Sequence, residues 1–217
     1  MTPLSDGQEQ AQRWTGVFGK EYTERNPHTP EQVNQLYSER FGMTRTAMNQ
    51  EFIGTLSRDI RILEAGCNVG SQLVTLQQMG FKNLYWIDLQ DFAVELAKKN
   101  CRNIYMVRGN LLDIPFKDNY FDMVFTSGVL IHINPANLPK AMKEIARCSK
   151  KYIFGLEYFS QTRQEINYRG NKNLAWKCDF AAEYIKNVPG LKLVKEKRFS
   201  YLQEPHLMDT MYLLEKT

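Results

Sequence analysis

The stretch that most constrains the fold is Asp59-Ile60-Arg61-Ile62-Leu63-Glu64-Ala65-Gly66-Cys67-Asn68-Val69-Gly70-Ser71-Gln72-Leu73. Its apolar run, small-residue loop and following apolar positions predict a buried strand, a tight turn and the first turn of a helix. About twenty residues further on, a second run, Leu84-Tyr85-Trp86-Ile87-Asp88, ends in an acid, the spacing at which α/β domains place a ribose-binding carboxylate. A nucleoside held at the carboxyl ends of parallel strands is the arrangement this layout favours.

Downstream, the pattern keeps alternating. Strands are expected at 60–64, 84–88, 104–108, 121–126 and 152–158, with helices at about 70–79, 90–99 and 138–148 between them. That alternation is the mark of a parallel sheet covered by helices. A long polar loop, 159–177, follows, then a helix near 179–187 and a turn at Pro189-Gly190. Strands near 191–200 and 207–215 lie close enough in sequence for an antiparallel hairpin. Lys192, Lys195, Lys197 and Arg198 on the first of them suit a solvated edge strand, on which lysines discourage further pairing.

Before the first strand, Thr29-Pro30-Glu31-Gln32 forms a helix start. The threonine caps, the proline sits at the first helical position and Gln32 completes a capping box. Leu36, Tyr37, Arg40 and Phe41 continue at helical spacing to Gly42, and a second helix carries Met48, Phe52 and Leu56 on one face. Residues 12–26 show neither helical nor strand periodicity cleanly. Their aromatics, Trp14, Phe18 and Tyr22, must rest on something, either as a flap over a cleft or as an arm along the core.

A chain of 217 residues buries one sizeable core, so a single domain with a small appendage is expected. The division anticipated is an N-terminal flap and helical cap, residues 1–58, and a nucleoside-binding domain, 59–217. No run approaches the ~20 apolar residues of a membrane span. The polar opening, Met1 to Gln8, lacks the order of a signal peptide, which points to the cytoplasm. Cys67, Cys101, Cys148 and Cys178 are scattered and only three histidines are present. No zinc site and no disulfide framework is expected. A formal charge of +4 permits an anionic ligand without implying nucleic acid.

The loop chemistry narrows the ligand. A dinucleotide fingerprint requires G-x-G-x-x-G, whereas this chain has Glu64-x-Gly66-x-Asn68-x-Gly70. Asn68 stands at the middle glycine's place and is one of the few residues that tolerate a left-handed backbone. No positive charge lies in the loop and an acid precedes it, which suits a cationic ligand better than a diphosphate. Asp88 is placed to accept from both hydroxyls of a ribose.

With these stations the segment 60–158 resembles the class I S-adenosylmethionine-dependent methyltransferases. The resemblance implies a Rossmann-like, mostly parallel seven-strand sheet with an antiparallel C-terminal hairpin, an N-terminal helical lid, and S-adenosylmethionine as cofactor. It places Glu64, Gly66, Cys67, Asn68 and Gly70 in the first motif, Asp88 and Leu89 at the ribose, and Asn110 and Leu111 about the adenine. Ser127, Gly128 and Val129 fall beside the methionine part. A narrower resemblance, to the pseudaminic acid biosynthesis-associated methylases, rests on several stretches. They are Trp14-x-Gly16-x-Phe18-Gly19-x-x-Tyr22-x-x-Arg25-Asn26, the Gly66–Gly70 loop with its asparagine, Gly128-Val129-Leu130-Ile131-His132-Ile133-Asn134-Pro135, Tyr168-Arg169-Gly170, Lys177-x-Asp179-Phe180-Ala181 and Leu213-Leu214-Glu215-Lys216. It implies a small-molecule acceptor linked to bacterial surface-carbohydrate biosynthesis, with neither nucleic acid nor membrane as partner. It also makes Tyr22, Arg25 and Asn26 candidates for covering the cofactor, with Trp14 and Phe18 fastening the flap.

Methyl transfer is an in-line displacement governed by alignment and exclusion of water. His132, just beyond a strand exit, is a candidate base; alternatively it shapes its loop through a backbone hydrogen bond. Glu157, at the end of the fifth strand, is the second catalytic candidate, as base or as anchor for an amine, unless it pairs with Arg169. Tyr158, Tyr168 and Arg169 are candidates for holding the acceptor, the arginine by a bidentate grip on an anion. Methylation of RNA or protein, a catalytically silent partner subunit and a nicotinamide dehydrogenase are the competing readings, the last disfavoured by the glycine spacing.

Overall fold

The structure, a computed structural model, describes residues 6–217; the polar opening Met1 to Ser5 lies outside the described residues. Seven strands form one sheet in the order β3-β2-β1-β4-β5-β9-β8. β1 (Arg61–Ala65), β2 (Asn83–Asp88), β3 (Tyr105–Arg108), β4 (Phe121–Ser127) and β5 (Ser149–Tyr158) run parallel. β9 (Met208–Lys216) is antiparallel to both β5 and β8 (Leu191–Ser200). The remaining strands, β6 (Gln164–Glu165) and β7 (Trp176–Lys177), make a two-residue ladder inside the long polar loop. This is the expected Rossmann-like, mostly parallel seven-strand sheet, with its antiparallel C-terminal pair.

Side-chain alternation builds the core on both faces. Leu63, Ile87, Val124, Ile153, Tyr212 and Leu214 meet α7 (Leu138–Cys148) and α8 (Phe180–Asn187) on one side. Ile62, Trp86, Met123, Phe125, Phe154 and Leu213 meet α4 (Arg45–Ile53), α5 (Ser71–Gln78) and α6 (Asp91–Asn100) on the other. Because strands buried on both faces need apolar residues at every position, they read as near-continuous hydrophobic runs.

α3 (Pro30–Phe41) starts as its sequence dictates. Thr29 accepts from the Gln32 N–H at 3.3 Å, Gln32 accepts from the Thr29 N–H at 3.2 Å, and Gly42 closes the helix at φ 72°. The second cap helix, α4, buries Met48 and Phe52, but it ends at Ile53, so Leu56 packs from beyond it. β8 is an edge strand, and its lysines are engaged: Lys195 and Lys197 both reach Glu51, at 3.2 and 2.7 Å, and Lys192 reaches Glu215 at 2.9 Å.

Residues 12–26 depart from the sequence reading. They lie in two helices, α1 (Asp6–Thr15) and α2 (Val17–Arg25), broken at Gly16. Trp14, Phe18 and Tyr22 are spaced by four and meet edge to face, with Trp14 5.2 Å from Phe18 and 5.1 Å from Tyr22. The helical signal was therefore present in the aromatics and masked by two glycines of low helix propensity. No helix among the described residues is long and apolar enough to cross a membrane. All four cysteines are free and buried.

Candidate active site

The loops at the carboxyl ends of the parallel strands enclose a cavity of about 580 Å³, within the size range of small-ligand sites. Its β1–α5 wall is a fixed backbone. Gly66 and Cys67 N–H both donate to the Ile87 carbonyl, at 2.9 and 3.3 Å, and Asn68 holds φ 53°. Asp88 secures the turn from the next strand, accepting from the Asn68 N–H at 2.8 Å and from the Gln90 N–H at 2.9 Å. Each carboxylate oxygen has about two acceptor sites, so both keep capacity for a ligand hydroxyl. Burial lifts the Asp88 carboxyl, while the amides of Gln90, Asn68 and Leu89 pull it back.

Glu64 lies at the end of β1, 2% exposed. Its Oε2 has no partner among the described residues, as is also true of Asn68 Oδ1 and Gln72 Oε1. All three residues line the cavity. Burial pushes the Glu64 carboxyl well above the usual range, and the positive charge of Arg45 offsets only part of that. Arg45 itself is fully buried, donating to Ser127 Oγ at 2.9 Å, Tyr37 Oη at 3.1 Å and Asn49 Oδ1 at 2.9 Å.

The N-terminal helices close over this wall. Thr23, wholly buried on α2, accepts from Asn68 Nδ2 at 2.9 Å and donates to Gln90 Oε1 at 3.3 Å. From α1, Gln10 accepts from the Asn134 N–H at 3.0 Å. Trp14 packs tilted against His132, with ring centroids 4.6 Å apart, and His132 also meets Tyr168 at 4.8 Å and Tyr22 at 5.9 Å. The His132 Nδ1 lies 2.9 Å from the Leu174 carbonyl. A carbonyl only accepts, so Nδ1 carries the proton and Nε2 the lone pair. Burial lowers the imidazole to about 4, so the ring is neutral over the whole physiological range.

An unfolded histidine takes its proton near pH 6.5, whereas this one resists protonation down to about 4. The ring therefore favours folding fully above pH 6.5, and progressively less as the pH falls toward 4. Trp14→Ala would admit water to the ring, and the His132 titration, followed by NMR of its imidazole protons, is expected to move from about 4 toward the free value. A midpoint that stays near 4 would mean Trp14 is not what dries the ring.

The structure brings most of the sequence candidates together. Tyr22, Asn26, Glu64, Gly66, Cys67, Asn68, Asp88, Leu89, Asn110, Leu111, Ser127, Gly128, Val129, His132, Tyr158, Tyr168 and Arg169 all line the one cavity. Three candidates do not line it. Arg25 pairs with Glu21 of its own helix at 3.8 Å. Gly70 caps α5 at φ 76°, with its α-carbon against Cys101. Glu157 lies behind the wall, 1% exposed, accepting from the Val129 and Ile131 N–H groups at 3.2 and 3.4 Å. It shapes the loop after β4 rather than pairing with Arg169, and burial raises its carboxyl to about 7. Residues not anticipated as part of the site also line the cavity, among them Trp14, Gln72, Arg40 and Asp209. Asp209 had a legible signal: an acid at the start of the final strand, just ahead of its apolar run Met211 to Leu214.

A family model described as a methyltransferase domain matches residues 63–152. A sterol 24-C-methyltransferase of Schizosaccharomyces pombe is 23% identical over 160 residues, covering 69% of this chain and 42% of that protein. The chain spans about two fifths of the length of the first curated relatives it matches, 41% and 42%. Among solved structures, the 1,6-didemethyltoxoflavin-N1-methyltransferase of Burkholderia thailandensis superposes with a TM-score of 0.73 at 17% identity, over all of this chain and 93% of that one. The magnesium protoporphyrin IX methyltransferase of Synechocystis, with bound S-adenosylmethionine, superposes at 0.69 and 14% identity over the full length of both. These structural likenesses carry the fold.

A methyltransferase domain implies S-adenosylmethionine as cofactor, and the cavity fits that molecule. The unpartnered, buried Glu64 carboxylate suits its ammonium, Asp88 its ribose diol, and the space at Gly128, where an added Cβ would meet nothing within 4 Å, leaves room against the backbone.

Proposed function

We propose that the protein is an S-adenosylmethionine-dependent methyltransferase acting on an oxygen or nitrogen of a small polar acceptor. The acceptor class we favour is a sugar or sugar-derived metabolite of surface-carbohydrate biosynthesis. The observation that carries the cofactor is the meeting, in one cavity, of a buried carboxyl whose Oε2 has no hydrogen-bond partner among the described residues and a second carboxylate that already orders the loop. The acceptor class rests on the resemblance of the Trp14–Asn26, Gly66–Gly70 and Gly128–Pro135 stretches to the pseudaminic acid biosynthesis-associated methylases, and on the polar side chains Tyr158, Tyr168 and Arg169 at the cavity.

In this reading residues 1–58 serve as flap and cap, and 59–217 bind cofactor and catalyse. When bound, S-adenosylmethionine would supply an electrophilic methyl group on a sulfonium, whose sulfur would leave as a neutral thioether with the bonding electron pair. The protein's part is orientation and dryness. Glu64 would hold the cofactor's ammonium and Asp88 its ribose. The carbonyl and amide groups of Ser127–Val129 form the wall beside the methionine part, held in shape by Glu157. Trp14 and Tyr22 exclude water. His132 offers an unprotonated Nε2 and remains a weak base. A weak base is adequate for a proton that becomes strongly acidic only as the new bond to an oxygen forms.

The cofactor reading has a pH consequence. Burial holds the free Glu64 carboxyl high, and an ammonium beside it favours the carboxylate. Binding at a pH where the free carboxyl is still protonated should therefore release a proton, and affinity should rise with pH across that range. Calorimetry in buffers of different ionisation enthalpy reads this directly. Proton uptake, or release that persists in Glu64→Gln, would remove Glu64 from the ammonium site.

The reaction itself is tested by incubating the protein with cofactor carrying an isotope-labelled methyl group and a metabolite extract, then identifying labelled products by mass analysis. Label on a small polar acceptor is expected. Label found only on RNA or protein would overturn the acceptor class, and no transfer to any acceptor would favour a silent subunit.

A further inference from the structure

The cavity extends beyond the residues assigned to the cofactor, along α3 and the start of β9. Because β9 runs antiparallel to β5, its second residue, Asp209, lies beside Tyr158 at the carboxyl end of the sheet. Asp209 is 4% exposed and lines the cavity. Tyr201 donates its hydroxyl to Asp209 Oδ1 at 3.0 Å, and Oδ2 has no partner among the described residues.

Arg40 faces the same space from α3. Its guanidinium lies 5.0 Å from the centre of the Tyr201 ring and 5.9 Å from that of Phe41. A guanidinium held over aromatic rings by its charge still has N–H groups to offer an acceptor. Among the described residues no carboxylate lies within salt-bridge distance of it and no acceptor takes its N–H groups; Tyr201, Tyr158, Asp209 and Tyr37 are the groups that bear on its charge. A cation set beside two aromatic rings at a cavity wall, with its donors unused, is a recognition element for an anion. An acid nearby with one free oxygen recognises a donor on the same molecule.

We propose that this end of the cavity reads the methyl acceptor, with Arg40 taking a carboxylate or phosphate and Asp209 accepting from a hydroxyl or ammonium of the same molecule. The acceptor class is thus a small anion that also carries a hydrogen-bond donor. The assignment rests on the methyltransferase reading and adds to it two residues and a substrate charge. Burial raises the Asp209 carboxyl to about 6, which places it among groups that exchange protons near neutrality. Arg169, exposed and at φ 53°, also lines the cavity, so it is the competing anion reader.

The test uses the full chain in two arms. Calorimetric saturation with S-adenosylhomocysteine reads the cofactor assignment alone. The loaded protein is then titrated, with NMR detection, against inorganic phosphate and against glycolate, the probes for the two anion sources. Saturable binding of at least one is expected, weakened tenfold or more in Arg40→Gln and unchanged within twofold in Arg61→Gln, a control outside the cavity. Asp209→Asn should weaken glycolate relative to acetate, which has the carboxylate but no hydroxyl. If Arg40→Gln does not fold, Arg40→Lys keeps the charge without the fork and should still weaken binding at least threefold. Homocysteine-cofactor binding with no saturable anion, with binding indifferent to Arg40, or with a loss that follows Arg169→Gln instead, would overturn the proposal. Absence of cofactor binding would overturn the reading beneath it.

Discussion

An Asp88→Ala variant is expected to bind S-adenosylmethionine at least ~100-fold more weakly, a loss of about 2.7 kcal/mol. The magnitude follows from two duties borne by one side chain. In the protein alone, Asp88 accepts from the Asn68 and Gln90 amides, at 2.8 and 2.9 Å. Leaving two such donors without an acceptor costs about 1–3 kcal/mol each where they are buried. The loop with Asn68 at φ 53° then loses the contact that fixes it against α6. In the complex, the same carboxylate would also accept from the ribose diol, and hydrogen bonds to a charged group contribute roughly 1.5–3 kcal/mol each. Asp88→Asn keeps one acceptor oxygen but turns an NH₂ toward an amide, so it should fall between wild type and alanine. Calorimetry together with thermal unfolding separates the duties. Unchanged affinity, within twofold, would leave Asp88 as a loop support and nothing more.

Gly66→Ala should be the most damaging small substitution in the site. Gly66 holds φ 83°, and a Cβ there would sit 2.7 Å from Val129 Cγ1 and 2.9 Å from Cγ2. The strain of a left-handed backbone adds about 1 kcal/mol for a residue with a side chain. The collision adds more, because Val129 belongs to the loop held by Glu157. We expect roughly 2–4 kcal/mol of destabilisation in total, a fall of about 5–15 °C in melting temperature for a chain of this size, with cofactor binding impaired as well. Gly128→Ala provides the contrast. Its φ is 64° but nothing lies within 4 Å of the added atom, so stability should fall by only about 1 kcal/mol, while the methyl group intrudes on the ligand's space. If Gly66→Ala melts like wild type, Val129 has room to move and the cradle is looser than its geometry implies.

The sequence discloses the sheet because its central strands are buried on both faces, and a residue pattern that must be apolar nearly throughout is hard to mistake. It discloses the cofactor wall for a related reason. Glu64, Gly66, Asn68 and Asp88 lie within one βαβ unit, where spacing along the chain fixes spacing in space. The acceptor side was less legible because it is assembled across the fold. Arg40 comes from a helix before the sheet and Asp209 from the last strand along the chain, and the antiparallel pairing of β9 with β5 brings Asp209 to the carboxyl end of the sheet. Arg45 illustrates a further limit. Nothing in Thr44-Arg45-Thr46 distinguishes a surface arginine from one buried against Ser127 and Tyr37. Glu157 shows the converse. The end of a fifth strand is a sound place to look for chemistry, yet its carboxylate faces backbone amides behind the wall.

The most direct measurement is a pair of calorimetric titrations of the full chain, one with S-adenosylmethionine and one with NAD. The Glu64–Gly66–Asn68–Gly70 loop predicts saturable one-to-one binding of the sulfonium nucleoside and none of the dinucleotide. Saturable NAD binding with no heat from S-adenosylmethionine would contradict the account at its foundation.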